Sequence, residues 1–242
     1  MVTFIIDKKY VFEELKTLLN DDSVFKDEVF EVLEKDFPEL INEYKSNPSD
    51  EVINKYMDKV VDNSAEEYKA ELEKYWRKYE KEIFTALADI TGVSIDTKIT
   101  CYLRNIHWYP RDIDKQEFAL CAQDSLFSSM STIIHEITHF FYFKKWKEVF
   151  PDCPKEYYEA PHPYWHLSEL MAYVIDNDIR VRGISFTTWI QSEYAYEWFD
   201  NDGKISIQGY FDRLYNENIS DFKEFLIRAK KVVDSNPKLF EE

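Results

Sequence analysis

The chain has 242 residues, of which 45% are hydrophobic, 32% charged and 17% aromatic, and a formal net charge of −17. That length holds one large domain or two small ones with a sizeable core, and the acidic balance argues against nucleic-acid or anionic-membrane partners. Three cysteines without CxxC spacing exclude a disulfide framework and a thiolate zinc cluster, and only four glycines and eight prolines point to a helix-rich protein.

The first twenty residues carry charge throughout and contain no apolar stretch of signal-peptide length. No segment approaches the roughly 20 apolar residues of a membrane span, so a cytoplasmic protein is expected. Residues 1–92 read as helical throughout. Tyr10–Leu19 and Val24–Tyr44 are amphipathic, interrupted at Asn20-Asp21-Asp22 and at Phe37-Pro38. Asn47-Pro48-Ser49-Asp50 caps a short helix to about Val61. Ser64-Ala65-Glu66-Glu67 has the form of a capping box. It opens a longer helix whose stripe Leu72, Trp76, Tyr79, Ile83, Leu87 and Ile90 ends at Gly92. The stripe is read as core packing, and residues 1–93 as an N-terminal helical lobe.

Strand-like alternation follows. From Ile95 to Arg104, Ile99, Cys101 and Leu103 fall on one side and Thr100, Tyr102 and Arg104 on the other. Tyr109-Pro110-Arg111-Asp112 reads as a turn, and Glu117–Gln123 as a second strand. Cys101 and Cys121 sit in these strands as small core residues.

The second strand leads into His135-Glu136-Ile137-Thr138-His139. Two imidazoles four residues apart on a helix stand one above the other, so one metal ion can bridge them, and the intervening glutamate projects beside it. Residues 125–143 carry only one formally charged side chain, Glu136. A lone carboxylate in so apolar a helix needs a partner or a purpose. Four of the five histidines, His135, His139, His162 and His166, cluster here, with His107 outside. The competing reading is a core helix that happens to carry two partly buried histidines.

The HExxH pattern with uncharged neighbours, Thr132 to Phe141, resembles the zincin metallopeptidases. The resemblance spans about residues 97–180. It departs from the metzincin branch, because Tyr142 and Lys145 stand where that branch continues with glycine and a third histidine. Zinc in a hydrolytic site takes three protein ligands and keeps one position open. After an irregular, proline-rich segment at 147–165, the amphipathic stretch Trp165–Asp176 is the best source of the third. Glu169, flanked by Leu170 and Met171, is the leading candidate; His166, His162 and Glu159 compete with it. The layout looks like the gluzincin branch, in which a glutamate from a later helix completes the site. There an acid one turn further on supports a histidine. Here Tyr173 occupies that position and Asp176, two turns on, is the nearest acid.

The resemblance implies one zinc ion held by His135, His139 and Glu169, with Glu136 as the base that takes a proton from the attacking water and returns it to the leaving amine. His162, Tyr164, His166 and Tyr173 are candidates for contacting the oxyanion or the substrate. It also implies that Glu117–Gln123 is an edge strand to which an extended peptide adds. The expected fold is α+β and predominantly helical: a zincin-like catalytic region over 94–242, with a small sheet, the active-site helix and C-terminal helices, beside the N-terminal lobe. Further helices are expected at Ser185–Phe199, Ile205–Tyr215 and Ile219–Val233, the last capped at Ser220. The expected function is a zinc metallopeptidase acting on a peptide or protein. A zinc amidohydrolase for a small amide and a non-catalytic binding or regulatory protein on a zincin scaffold stay open. Oligomeric state is not legible.

Overall fold

A computed structural model describes residues 1–185, Ser192, Tyr194, 205–236 and 238–240. Among these the protein is predominantly helical with one four-stranded sheet, as the α+β expectation requires. The chain divides into two compact units, each built from two stretches: 1–78 with 97–132, and 79–96 with 133–242. The division does not follow the break expected near Gly92–Ser94.

In the first unit, strand β1 (Val2–Ile5) precedes helices α1 (Lys8–Leu19), α2 (Lys26–Asp36), α3 (Pro38–Ser46), α4 (Asp50–Val60) and α5 (Ser64–Trp76). The reading of 1–92 as wholly helical therefore fails at β1. Local chemistry sets several helix starts. The Asp7 carboxylate accepts from the Lys9 and Tyr10 amides, Pro38 occupies the first turn of α3, and the Ser49 hydroxyl accepts from the Val52 amide. The capping box at Ser64 does not form; the Ser64 hydroxyl and amide both donate to Asp62. The buried side chains of α1 to α4, including Val11, Leu15, Leu33, Leu40 and Ile53, share one apolar core with Ile106.

Strands β2 (Ile99–Arg104), β3 (Arg111–Asp112) and β4 (Glu117–Cys121) complete the sheet, in the order β1-β2-β4-β3. β1 and β4 run parallel to β2, with Phe4 opposite Cys101 and Cys101 opposite Phe118. β3 runs antiparallel to β4, Arg111 facing Phe118 and Asp112 facing Glu117. The Ala119 amide donates to the Pro110 carbonyl on that same side. β4 is thus an interior strand over Glu117–Ala119, not the free edge expected from the resemblance. Ile99, Cys101 and Leu103 are fully buried, as their alternation predicts. Arg104 is buried too, because Glu14 of α1 and the carbonyls of Ile106 and Trp108 take its guanidinium.

The second unit contains α6 (Glu80–Thr91), α8 (Pro163–Asp176), α9 (Ile179–Ser185), α10 (Ile207–Glu217) and α11 (Phe222–Ser235). The stripe read as one helix from Ser64 to Gly92 is divided between α5 and α6 around Arg77–Tyr79. Gly92 ends α6 at φ 70°, the left-handed conformation that glycine adopts without strain. The long helix α7 (Leu126–Val149) begins where Ser125 accepts from the Ser128 amide, and from Ile133 onward it belongs to the second unit. α8 packs on α10 and α11, and α6 on α9. Leu87, Phe141, Trp146, Leu170, Phe211 and Phe225 form the buried interior of this unit. The cap of α11 is Asp221, not Ser220, since Asp221 accepts from the Glu224 amide. The helix expected at Ser185–Phe199 lies largely outside the described residues. No helix of the described residues is long and apolar enough to cross a membrane.

Candidate metal centre

α7 places His135 and His139 one turn apart on the same face, and α8 brings Glu169 across to them. His139 Nε2 lies 3.1 Å from His135 Nε2, and each of these nitrogens lies 3.4 Å from Glu169 Oε2. The three atoms make a nearly equilateral triangle. A tetrahedral zinc ion with bonds near 2.0–2.1 Å separates its ligand atoms by roughly 3.3 Å. The donor set therefore matches one face of a zinc tetrahedron in spacing and in chemistry, two imidazole nitrogens and one carboxylate oxygen.

Asp176, at the end of α8, holds the other side of His135: its Oδ2 lies 3.4 Å from His135 Nδ1. Its second oxygen, Oδ1, accepts from the Thr138 hydroxyl at 3.0 Å. A carboxylate at Nδ1 holds a ring proton there, so a metal ion would displace the proton of Nε2, the nitrogen that faces His139 and Glu169. Thr138 was not singled out in the sequence. Its signal is a hydroxyl at an interior motif position of an otherwise apolar helix.

Burial fixes these groups. His139 is fully buried and Glu136 is 4% exposed. Three carboxylates, Glu136, Glu169 and Asp176, thus surround two imidazoles in a setting largely closed to water. Burial disfavours the charged form of His135, yet hydrogen bonds to Asp176 and Glu169 and the nearby Glu136 charge outweigh it and push the ring up to about 10. Three acidic side chains against two imidazoles make a group whose charge a divalent cation would balance.

The other sequence candidates divide. The Tyr173 ring sits beside His135, with centroids 5.0 Å apart. His166 is bound to Tyr194 through Nδ1 at 2.8 Å and stacks on Phe240. His162 caps α8, its Nδ1 accepting from the Tyr164 amide at 3.1 Å, and stacks on Tyr157. The Tyr164 hydroxyl donates to Asp234 at 2.6 Å. The His135–His139–Glu169 group, which could hold a metal ion, thus contains neither His166 nor His162 nor Glu159. The aromatic run Phe140–Trp146 is core, with Tyr142 stacked on Trp146 and Phe143 against Tyr158.

No protein-family model matches the chain, and no curated protein or solved structure matches it significantly.

Proposed function

We propose that the protein is a zinc-dependent metallopeptidase with a zincin-like catalytic core. The observation that carries the reading is the triangle of His135 Nε2, His139 Nε2 and Glu169 Oε2, with Glu136 buried on the same helix. A structural site needs no base next to its ligands, so the buried glutamate favours catalysis over a purely structural role.

His135, His139 and Glu169 would hold the ion, and Asp176 would orient His135 through Nδ1. Zinc bound there would supply Lewis acidity, lowering the pKa of water toward about 7 and polarising the substrate carbonyl. Glu136 accepts the proton of the attacking water and delivers it to the departing amine nitrogen, so that one carboxylate serves as base and then as acid. Among the oxyanion candidates Tyr173 is favoured, because its ring lies beside His135 with centroids 5.0 Å apart.

One observation favours a second reading. β3 and Pro110 pair with β4 over Glu117–Ala119, the first part of the stretch expected to take an extended peptide. A small amide needs no such strand, so hydrolysis of a small amide by the same centre is the alternative.

Zinc-loaded protein is offered an unstructured peptide library and a panel of short amides. The reading expects chelator-sensitive cleavage, restored by zinc, lost in Glu136→Ala and kept in a variant at Asp212. Peptide cleavage identifies the peptidase; turnover of short amides alone identifies the second reading. Cleavage that survives Glu136→Ala sinks both.

A further inference from the structure

A second group of ligand-bearing side chains lies in the first unit, where β4 ends. A ring nitrogen of His107, the thiol of Cys121 and a carboxylate oxygen of Asp124 all lie within 4.8 Å of one another. His107 Nε2 stands 3.9 Å from Asp124 Oδ1. Cys121 and Asp124 are three residues apart in a tight turn whose closing bond runs from the Asp124 amide to the Cys121 carbonyl at 3.3 Å. This turn presents thiol and carboxylate together.

Each of the three groups is held from behind. His107 Nδ1 lies 3.0 Å from both oxygens of Asp36, and its backbone amide donates to Asp36 Oδ2 at 2.9 Å. The Tyr109 hydroxyl donates to Asp124 Oδ2 at 2.9 Å, and the Gln123 amide donates to the Cys121 sulfur. The Asp36 and Asp124 side chains are only 9% and 12% exposed. With the outer atoms of His107 and Asp124 engaged, His107 Nε2 and Asp124 Oδ1 are left beside the Cys121 sulfur. Histidine backed by carboxylate at Nδ1 is the outer arrangement that fixes a ring for metal binding through Nε2.

We infer that His107, Cys121 and Asp124 form a second metal site, separate from the His135–His139–Glu169 triad, for a divalent transition ion of the zinc class, with Asp36 as the positioning residue for His107. The mixed nitrogen, sulfur and oxygen set suits zinc or cobalt and not calcium or magnesium, which take oxygen ligands. Tetrahedral ligation requires the nitrogen and oxygen to approach from 3.9 Å to roughly 3.3 Å. The His107 side chain is 42% exposed and has room for that movement. A catalytic thiol is the competing use of a cysteine beside a histidine. Cys121 is fully buried, so its sulfur is closed to a substrate that a nucleophile would have to reach. Binding releases the thiol proton and leaves the fourth position to water, tying the segment after β2 to the end of β4.

The test is cobalt titration of the full chain with absorption readout, together with zinc stoichiometry. The triad contains no sulfur, so a thiolate-to-cobalt charge-transfer band that depends on Cys121, and not on Cys101 or Cys153, reports this site. The band is expected in the wild type and in Glu169→Ala, and is expected to be absent from Cys121→Ser. His107→Ala, at a half-exposed ring, leaves the fold in place and is expected to weaken cobalt binding at least ~10-fold. Zinc stoichiometry is expected to fall from two ions to one in His107→Ala, and likewise in Glu169→Ala. No charge-transfer band in folded wild type at saturating cobalt, a band that persists in folded Cys121→Ser, or an unchanged affinity in His107→Ala overturns the site. Zinc at the triad without a thiolate band overturns this inference and leaves the proposed function intact.

Discussion

Asp176 Oδ2 lies 3.4 Å from His135 Nδ1, on the opposite edge of the ring from the nitrogen that faces Glu169. The same carboxylate accepts from Thr138 of α7, so one buried acid at the end of α8 is tied both to a candidate ligand and to the helix that carries it. Outer partners of this kind set the orientation and basicity of a ligating imidazole, and their loss typically costs 10–100-fold in metal affinity.

Asp176→Asn is therefore expected to weaken zinc binding by roughly 10–100-fold while the protein stays folded, since asparagine keeps an oxygen for Thr138. Competition with a chromophoric chelator gives the affinity, and circular dichroism the fold. An affinity indistinguishable from wild type would remove Asp176 from the site.

Replacing the third ligand has a larger effect. Glu169→Gln is expected to weaken zinc binding by more than the Asp176 variant does, whereas His166→Ala and His162→Ala leave it within about threefold. The contrast follows from geometry: Glu169 completes the triangle, while His166 is bound to Tyr194 and His162 caps α8. A His166 variant that loses zinc while Glu169→Gln retains it reverses the assignment.

Much of this arrangement was legible in the sequence, and the parts that were not have identifiable reasons. The i, i+4 spacing of His135 and His139 is local and survives folding unchanged. Glu169 betrayed itself as an acid among Leu170 and Met171. β2 and β4 followed from alternation, and the end of α6 from Gly92. β1 was missed because four residues pair in parallel with a strand almost a hundred residues away, which no local pattern records. The break between α5 and α6 was hidden because Trp76, Tyr79 and Ile83 continue the apolar stripe in phase across it. Ser64 had the spacing of a capping box, but Asp62 two residues earlier took its hydroxyl and amide. β3 is too short to alternate, so the covered side of β4 was invisible. The contact of Asp36 with His107 joins residues 71 apart, and made His107 look like a solitary histidine.

A pH prediction comes from Asp212, which lines a cavity with Asp178 and Tyr215. Burial pushes its carboxyl from the ordinary 3.8 up to about 6. Between those values the folded chain binds more protons than the unfolded chain, so this group's contribution to stability falls as pH rises from about 4 to 6. At pH 7 the ionised carboxylate is a net cost. Asp212→Asn is expected to stabilise the protein by about 1–2 kcal/mol at pH 7, discounted for partial exposure, and far less at pH 4. Urea unfolding at the two pH values measures it; equal effects at both would mean Asp212 titrates normally.

The buried ion pair of Arg104 and Glu14 supplies a test of the first unit. The Arg104 side chain is fully buried and Glu14 is its only carboxylate partner among the described residues, at 3.1 Å. Glu14→Ala leaves a buried guanidinium without its counter-charge and is expected to cost about 3–5 kcal/mol. Replacing both residues with apolar ones of similar volume is expected to cost much less. A single-variant loss below about 1 kcal/mol in urea unfolding would show that water reaches the guanidinium.

The position of bound zinc decides the assignment of His135, His139 and Glu169 most directly. Crystals grown with excess zinc and measured on both sides of its absorption edge locate the metal without reference to activity. An anomalous peak is expected about 2.0–2.2 Å from His135 Nε2, His139 Nε2 and a Glu169 carboxylate oxygen, with His135 Nδ1 still facing Asp176. Well-ordered rings of His135 and His139 with no peak between them and Glu169 would contradict the assignment.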